Sequence, residues 1–400
     1  MRGEPKMKIL VCNAGSTSLK FKLYQMPEEQ VLAECRIERI ADPKGGRFFY
    51  QGPEGKTKEH IQQTRDYREG IRCFLRLLTD KALGAIEDWR QIDAVGFKTV
   101  LSKGHYGVHL LTEEVLQGMR DYMTVAPVHN SCYLQAIAAV EEELPGIPRV
   151  GVFETAFHQT MKPEAYLYSL PYEWYEKYGV RRLGYHGASH GYIASCLNEL
   201  EGAHYRAVSC HLGGSGSLAA IVDGKCVDTS FGMSLQTGIP QTNRSGDIDP
   251  FLIFHMVQAE GLSLEEVKRQ MESQGGLLGI SGVSGDLRDI EQAAPRSERA
   301  QLAIEIYCRE IARYIGGYAA IMGGLDAIAF TGGIGENSAL VREKVLERLA
   351  FLGIALQGEA KKGEISLITE PGSAVRCYVI PANEELGIAR KTMELMRQGA

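Results

Sequence analysis

The sequence predicts an α/β protein built from two related domains. Short, strongly apolar runs typical of buried strands alternate with segments whose apolar residues recur at the helical period. A second observation is an internal similarity, because residues 9–24 (ILVCNAGSTSLKFKLY) align with residues 207–222 (AVSCHLGGSGSLAAIV), half the chain apart. A third is the presence of 45 glycines among 400 residues, which indicates many tight turns or close backbone approaches to a ligand.

Eight strands are predicted from apolar runs, and two helices from their start signals. The strands are residues 8–14, 21–26, 93–100, 149–154, 206–212, 218–223, 326–331 and 375–381. Thr112 can cap a helix over 112–123, and Ser297 can cap a longer helix over 297–322. The longer helix is also predicted by apolar residues that recur at three-to-five-residue steps, near the helical period: Leu302, Ile306, Ile311, Ile315, Tyr318 and Met322.

The composition excludes several classes of protein. The formal charge of −6, from 44 basic and 50 acidic residues, argues against a dedicated binder of nucleic acid or of membrane surfaces. The nine cysteines form no C-x-x-C pair, so they indicate neither a disulfide framework nor a zinc ribbon, and they favour a reducing compartment. No run of about 18 apolar residues and no signal peptide are seen, so the sequence predicts a cytoplasmic location.

Three Gly-rich segments suit the binding of phosphate groups. They are residues 13–18 (NAGSTS), 211–217 (HLGGSGS) and 331–337 (TGGIGEN). Such turns expose backbone N–H groups and hydroxyls, and glycine allows the backbone to approach a nucleotide. None is a Walker A motif or a Rossmann fingerprint. A single Gly-rich turn is usually only a turn, so the prediction of nucleotide binding rests on finding three in one chain.

Several charged and polar residues suit phosphoryl transfer: Glu154, His186, His190, Arg244, Asp247, Asp249, Glu384 and Glu385. This reaction needs a magnesium ion, cations on the equatorial oxygens and an in-line acceptor, rather than covalent help from the protein. Acidic side chains can hold the ion. Arginine and histidine can stabilise the developing charge.

These residues also have structural interpretations, which the pattern alone leaves open. His186 and His190 lie four residues apart and could bind zinc or hydrogen-bond within a turn, although no third zinc ligand is evident. Asp247 or Asp249 could cap the helix that begins near PFLIFHM. Arg244 could form a surface salt bridge.

Eight stretches of the chain resemble motifs of the acetate kinase family, in the family's order. They are KILVCNAGSTSLKF, VFETAFHQTM, RRLGYHGASHGYIA, HLGGSGSLAAIVDGKCVDTS, RSGDIDP, GLLGISGVSGDLRDI, DAIAFTGGIGENSALVRE and NEELGIAR, between residues 8 and 390. The resemblance implies an α/β fold of two duplicated RNase H-like domains, the actin-like ATPase fold, with an interdomain cleft. The implied domains are residues 1–153 with 386–400, and residues 154–385.

The resemblance also implies a reaction and its partners. The reaction is the reversible transfer of the γ-phosphoryl group of ATP to acetate or a related short-chain carboxylate, giving ADP and an acyl phosphate. The implied cofactor is Mg²⁺ or Mn²⁺, and the implied assembly is a homodimer without nucleic-acid or membrane partners.

Individual residues acquire roles through their positions in these motifs. The catalytic residues implied are Glu154, His186 and Arg244. The nucleotide-binding residues implied are Asn13, Ser16, Ser18, Lys20, His211, Gly213, Gly214, Asp286, Arg288, Gly333, Ile334 and Asn337. The substrate-binding positions implied are Lys98, Val100, Val128, Tyr185 and Leu235. Asn13 and Glu384 are the implied metal ligands.

Several positions depart from the family's usual pattern, including the loop SLQTGIPQTNR and, within the substrate positions, Tyr185 and Leu235, where phenylalanine and proline are usual. Glu154 replaces an aspartate, Lys98 replaces an arginine, Phe97 replaces a histidine and Gly214 replaces an asparagine. Lys98 keeps a positive charge but loses the bidentate fork of arginine. Two alternative functions therefore remain: a kinase with an acceptor other than acetate, and a nucleotide-binding protein with little kinase turnover.

Overall fold

The chain divides into two compact units. The structure is a computed structural model that describes residues 5–15, 17–123, 125 and 127–399, except for the side chains of Pro127 and Val128. The first unit comprises Met1–Ala156 and Asn383–Ala400, and the second comprises Phe157–Ala382.

The first unit is built on an eight-stranded sheet in the order β5-β4-β3-β2-β1-β6-β8-β7. Its strands are β1 Met7–Gly15, β2 Ser18–Met26, β3 Gln30–Glu38, β4 Gly46–Gln51, β5 Thr57–Gln62, β6 Ala94–Thr99, β7 Val108–Leu110 and β8 Arg149–Phe153. Strands β1 to β5 pair antiparallel, whereas β6 is parallel to both β1 and β8. The helices are α1 Tyr67–Leu78, α2 Glu113–Asp121, α3 Pro127–Glu143 and α14 Glu384–Arg397.

Helix α14 returns from the end of the chain to pack on the sheet of the first unit, against β1 and β6. Gly96 permits this approach, because a Cβ atom there would lie only 2.3 Å from Thr392 Oγ1 on the helix. Arg390 of the same helix pairs with Glu29, with Nε 2.6 Å from Oε1. The packing places Glu384, the first residue of α14, beside the end of β6.

The second unit contains a six-stranded sheet in the order β11-β10-β9-β12-β14-β13. Its strands are β9 Arg206–Leu212, β10 Gly216–Val222, β11 Lys225–Thr229, β12 Ala327–Thr331, β13 Ser366–Leu367 and β14 Arg376–Val379. Its helices are α4 Pro163–Tyr166, α5 Tyr172–Tyr178, α6 Gly187–Glu201, α7 Phe251–Gln258, α8 Leu264–Ser273, α9 Gly276–Ser281, α10 Leu287–Ala293, α11 Glu298–Met322, α12 Gly332–Asn337 and α13 Ala339–Glu347.

The two sheets share one five-stranded arrangement, which confirms the predicted duplication. In the first unit the antiparallel strands β3, β2 and β1 continue into the parallel strands β6 and β8. In the second, β11, β10 and β9 continue into β12 and β14 in the same way. Both copies of the internal similarity form hairpins, with Gly15 opposite Ser18 and Leu212 opposite Gly216.

The predicted strands all form, with ends displaced by up to three residues. Both predicted caps are confirmed, since Thr112 Oγ1 accepts from Val115 N and Ser297 Oγ accepts from Ala300 N. The helix predicted over 297–322 forms as α11, Glu298–Met322. It packs against β9 and β10, and its buried residues include Ala303, Ile304, Tyr307, Cys308, Ile311, Ile315 and Tyr318, whereas Leu302 is half exposed.

The domain boundaries lie three residues from the positions that the resemblance implied. The first unit keeps Glu154, because its backbone N–H donates to Thr99 O at 2.8 Å and so extends the β6 pairing. It also keeps Glu384, which begins α14.

None of the helices formed by the described residues combines the length and apolar character needed to cross a membrane. None of the nine cysteines forms a disulfide; eight are buried, and Cys73 is half-buried.

Candidate active site

In the first unit, Lys98 lies between two carboxylates. Its Nζ is 3.1 Å from Glu154 Oε1 and 2.5 Å from Glu384 Oε2. The three side chains are 19%, 5% and 16% exposed, so water screens their charges only weakly. Burial alone would lower the pKa of Lys98, but the two carboxylates outweigh it and hold this pKa well above its ordinary value. Lys98 is therefore a cation at neutral pH whose charge is paired with both carboxylates.

Each member of this cluster is positioned by the end of a regular element. Lys98 is the penultimate residue of β6, and Glu154 follows directly after the parallel neighbour β8. Carboxyl ends of parallel strands meet at one edge of a sheet, which is where ligands usually bind. Glu384 opens α14 behind Asn383, whose Oδ1 accepts from Leu386 N.

Tyr133 lies next to this cluster and was not among the residues predicted from the sequence. It lies on α3, is 3% exposed, and its hydroxyl donates to Asn13 Oδ1 at 3.3 Å. Burial raises its pKa, and the nearby Lys98 opposes that effect. The phenol is thus a neutral hydrogen-bond donor that holds the Asn13 side chain at the end of β1.

The remaining residues predicted in the first unit are described by their burial and position. Ser18 is half-buried and Lys20 is exposed, both on β2 beside Asn13, while Val100 is buried just after β6. The predictions at Ser16 and at the side chain of Val128 lie outside the described residues.

The donor set of the first unit fits a hard divalent cation. Two carboxylates converge on one positive charge, and Asn13 in the same unit adds an amide oxygen that Tyr133 holds by a hydrogen bond. Among the described residues, no group of three or more His, Cys, Asp or Glu side chains could hold a metal. Magnesium does not need such a group, because it usually takes one or two carboxylates and completes its shell with water and substrate phosphate.

In the second unit, His186 and His211 lie side by side. Their ring centroids are 4.3 Å apart and their planes are inclined by 36°. His186 precedes α6 with φ +58°, a left-handed conformation that is strained for any residue with a Cβ. Serine hydroxyls hold both Nδ1 atoms at 2.8 Å, Ser217 for His186 and Ser189 for His211.

His190 has a structural role rather than that of a zinc ligand. It is fully buried, and its Nδ1 and Nε2 lie 2.8 and 2.9 Å from the hydroxyls of Ser209 and Ser217. Both ring nitrogens are therefore used within the protein. Its hydrogen bonds run from helix α6 to serines on β9 and β10, rather than within a turn as one interpretation of the sequence suggested.

His158 is a second buried imidazole behind the pair, in the 3₁₀ turn Ala156–Thr160. Its Nε2 donates to Tyr185 O at 2.8 Å, and its Nδ1 lies 3.1 Å from Cys226 Sγ. Burial lowers its pKa to about 4, against 6.5 in an unfolded chain.

Acidification is expected to destabilise the protein through His158. Its pKa is lower in the folded state, so the unfolded chain takes up the proton first; the stabilising contribution is complete above pH 6.5 and is lost as the pH falls towards 4. The full shift corresponds to about 3 kcal/mol. Chemical denaturation of wild type and His158→Gln at several pH values between 7 and 5 measures this loss.

The variant keeps a donor for Tyr185 O but cannot titrate, so its stability should fall less steeply over this range. Burial also lowers the pKa of His190, so part of the dependence should remain. Equal slopes for the two proteins would contradict the role assigned to His158.

Arg244 lies on a loop docked against the Gly/Ser hairpin of the second unit. Its Nη1 donates to Leu235 O at 3.2 Å, and Gln241 Nε2 donates to the same carbonyl at 2.8 Å. Gln241 Oε1 in turn accepts from Ser215 Oγ in the hairpin at 2.9 Å. Arg244 is half-buried, and burial is the cause that lowers its pKa.

No carboxylate of the described residues lies within salt-bridge distance of Arg244, so the surface salt bridge considered for it is not formed there. The two aspartates that follow it are structural. Asp247 accepts from Gly238 N and Tyr314 Oη, which fastens the loop to α11. Asp249 Oδ1 accepts from Phe251 N at the start of α7, as one alternative predicted.

The nucleotide-loop residues lie at the carboxyl end of β12, next to the hairpin. Gly332 has φ +78°, and a Cβ atom there would lie 2.8 Å from Leu212 O, so only glycine suits this contact. Glu336 Oε1 accepts from Gly332 N and Ala382 N, which fixes the loop. Gly333 and Asn337 are exposed and joined by a 2.8 Å hydrogen bond, and Ile334 packs on the core.

Gly213 and Gly214 form the adjacent turn. A Cβ atom on Gly213 would lie 4.0 Å from Gly333 N, which shows how close the two Gly-rich segments are. Gly214 O accepts from Thr242 N and Oγ1, while its exposed Cα would allow a side chain, with 3.6 Å to the nearest atom. The replacement of asparagine by glycine is therefore not dictated by lack of space.

Asp286 and Arg288 pair with each other at the start of α10. Asp286 Oδ1 accepts from the backbone N and Nε of Arg288, and Oδ2 accepts from Nη2 at 2.6 Å. This pairing lowers the pKa of Asp286 to about 2. The helix is tied to the nucleotide loop because Ser338 Oγ donates to Glu291 Oε1.

Tyr185 and Leu235 were predicted to contact substrate. Tyr185 is 2% exposed, and its hydroxyl donates to Met233 O at 2.6 Å. A substrate contact of Tyr185 would therefore be made by its aromatic ring. Leu235 is half-buried, and its carbonyl receives Gln241 and Arg244.

The two related sheets, each with a Gly-rich hairpin, define the fold of the actin-like ATPases. The family model described as the acetokinase family matches residues 8–390, so the chain belongs to the acetokinase family. A relative from Shouchella clausii, called acetate kinase, is 45% identical over 395 residues, 97% of this chain and 99% of the relative.

Two solved structures have the same fold. Acetate kinase from Porphyromonas gingivalis superimposes with a TM-score of 0.87 at 39% identity, over 98% of this chain and 100% of that one. A propionate kinase from Francisella tularensis gives 0.85 at 32% identity, over 96% and 98% of the two chains.

Proposed function

We propose that the protein transfers the γ-phosphoryl group of ATP reversibly to acetate or a related short-chain carboxylate. The observation that carries this proposal is Arg244, a half-buried cation without a carboxylate partner among the described residues, next to a Gly/Ser hairpin. A cation held in this way is available to an anionic ligand. The names of the relatives, acetate kinase and propionate kinase, support this choice of acceptor.

The second unit supplies the phosphoryl and nucleotide contacts in this proposal. Arg244, His186 and His211 donate hydrogen bonds to phosphoryl oxygens as charge develops on them. Backbone N–H groups of Gly213 and Gly214 bind phosphate. Residues of the nucleotide loop and of α10 bind the nucleoside: Gly333, Ile334, Asn337, Asp286 and Arg288.

The first unit supplies negative charge and one cation. Asn13, Ser18 and Lys20 bind phosphate, and Glu384 with Asn13 would hold Mg²⁺ or Mn²⁺, with Glu154 beside them. Such an ion supplies neutralisation of the phosphate charge. Lys98 attracts the acceptor carboxylate, and the apolar Val100 and Val128 favour a short acyl chain; Tyr185 and Leu235 are the apolar residues that the second unit supplies for the acyl group. The acceptor is already ionised at neutral pH, so in-line attack needs no general base.

Hydroxamate trapping of acyl phosphate tests the proposal directly. Purified protein would be incubated with Mg·ATP and, in turn, acetate, propionate, butyrate and hydroxy acids. We expect turnover with acetate or propionate, and a single size-exclusion peak at the mass of the proposed homodimer. ATP binding without transfer to any carboxylate would contradict the proposal and support a nucleotide-dependent switch.

A second candidate function, a kinase that acts on an acceptor other than acetate, is favoured by the pairing of Lys98 with two carboxylates. Its ammonium group is already shared by Glu154 and Glu384, and lysine lacks the planar fork that grips a carboxylate with two hydrogen bonds. We therefore expect Lys98→Arg to raise kcat/KM for acetate several-fold, measured by the same assay.

Lys22→Arg is the matched control, since Lys22 also lies on a strand of the first unit and faces a glutamate of α14, at 3.9 Å from Glu385. It should leave kcat/KM unchanged. A decrease in kcat/KM for acetate in Lys98→Arg would show that lysine suits the present acceptor. It would contradict the idea that the site has only lost the two hydrogen bonds that an arginine gives to a carboxylate.

A further inference from the structure

Ser217 connects His186 to the interior of the second unit. It is fully buried on β10, with Oγ 2.8 Å from His186 Nδ1 and 2.9 Å from His190 Nε2. On the other edge of the same ring, His190 Nδ1 lies 2.8 Å from Ser209 Oγ. The four side chains form one hydrogen-bonded chain in the order Ser209, His190, Ser217 and His186.

The hydrogens of this chain can be assigned by counting donors and acceptors. Burial, reinforced by the neighbouring His158 and His211, lowers the pKa of His190 well below its ordinary value, so its ring is neutral and carries one hydrogen. If that hydrogen were on Nδ1, it would be donated to Ser209. The Ser209 hydroxyl hydrogen would then have no acceptor among the described residues, at a fully buried position.

The opposite arrangement satisfies every hydroxyl hydrogen. Ser209 donates to His190 Nδ1, His190 Nε2–H donates to Ser217, and Ser217 donates to His186 Nδ1. Buried polar hydrogens without acceptors are costly, so this arrangement is favoured. A neutral His186 whose Nδ1 accepts must carry its own hydrogen on Nε2.

We propose that Ser217 is a positioning residue that fixes His186 as the Nε2–H tautomer, ready to donate to an oxygen of the transferred phosphoryl group. The catalytic consequence rests on the proposed phosphoryl transfer, whereas the tautomer is a property of the free protein. A misplaced ring hydrogen would turn Nε2 into a lone pair facing an anionic oxygen, which is repulsive. The arrangement requires two serines that lie on different strands.

Two-bond ¹H–¹⁵N correlation spectra of protein labelled with [¹⁵N]histidine test the assignment, with His186→Asn identifying the His186 signals. We expect a lone-pair Nδ1 and a protonated Nε2 for His186 in wild type. In Ser217→Ala the two tautomers should both be populated, and kcat should fall about tenfold with little change in the KM for ATP. Ser217→Thr, which keeps the hydroxyl, should restore both readouts.

Ser230→Ala is the matched control, since Ser230 is also fully buried but its hydroxyl accepts from Leu218 N and hydrogen-bonds to no histidine of the described residues. It should change neither the His186 signals nor kcat. A protonated Nδ1 on wild-type His186, or an unchanged tautomer in Ser217→Ala, would overturn the proposal. The expected wild-type spectrum without any kinase turnover would uphold the tautomer and refute the proposed function instead.

Discussion

Replacing Arg244 with alanine is expected to lower kcat by about a thousandfold, with a much smaller effect on the binding of ATP. Removing a guanidinium that stabilises charge on a transferring phosphoryl group costs several kcal/mol of transition-state stabilisation. The structure gives Arg244 no carboxylate partner among the described residues, so its loss should leave no uncompensated negative charge behind. Steady-state kinetics and nucleotide titration measure the two effects separately.

Arg309→Ala serves as the control, because Arg309 lies exposed on α11 and pairs only with its neighbour Glu310 in the bonds that the structure records. It should retain full activity. Arg244→Lys should recover part of the lost rate, since it restores the charge but not the fork. Turnover of Arg244→Ala within a few-fold of wild type would refute a role in catalysis.

Replacing Lys98 with methionine is expected to destabilise the protein by about 3–5 kcal/mol. The change leaves two poorly exposed carboxylates, Glu154 and Glu384, close together without their shared cation. Methionine has nearly the length of lysine, so the loss reports charge rather than a cavity. Denaturant unfolding at pH 7 measures it.

Two further variants identify the cause. Lys98→Met combined with Glu154→Gln removes one of the opposing charges and should recover part of the stability. Lys81→Met, at an exposed position of the same unit, should change stability by less than about 0.5 kcal/mol. An unchanged stability of Lys98→Met would mean that the carboxylates are solvated or protonated, contrary to their pairing.

Much of the fold was predictable from local sequence. Strand β12 is a nearly uninterrupted apolar run (AIAFT), and a cap such as Ser297 depends only on residues close to it in the chain. Strands β3, β4 and β5 were missed, because none of them is a continuous apolar run. In β3 and β4, buried residues such as Ile37 and Phe48 alternate with more exposed ones, and β5 is mostly polar and exposed; pairing that starts from β2 holds all three in the sheet.

In the candidate site, too, some residues were predictable from local sequence and others depended on the fold. His186, Arg244 and the Gly-rich segments stand in motifs, so their importance could be predicted, although their catalytic and binding roles stay predictions. Tyr133 could not be found, because nothing in a helical stretch distinguishes a tyrosine that will hold Asn13 from one that only fills the core. The spacing of apolar residues predicted the helix at 297–322 but not which of them are buried, since Leu302 is half exposed.

The sequence by itself determined the α/β class, the duplication, the Gly-rich hairpins and the family, because these depend on residues that are close together in the chain. Only the tertiary structure decided the electrostatic state of the site. Lys98 meets a carboxylate 286 positions away, and His186 is tied through Ser217 to a buried imidazole. Charge and tautomer are set by burial and by partners that the fold brings together, and a linear pattern contains neither.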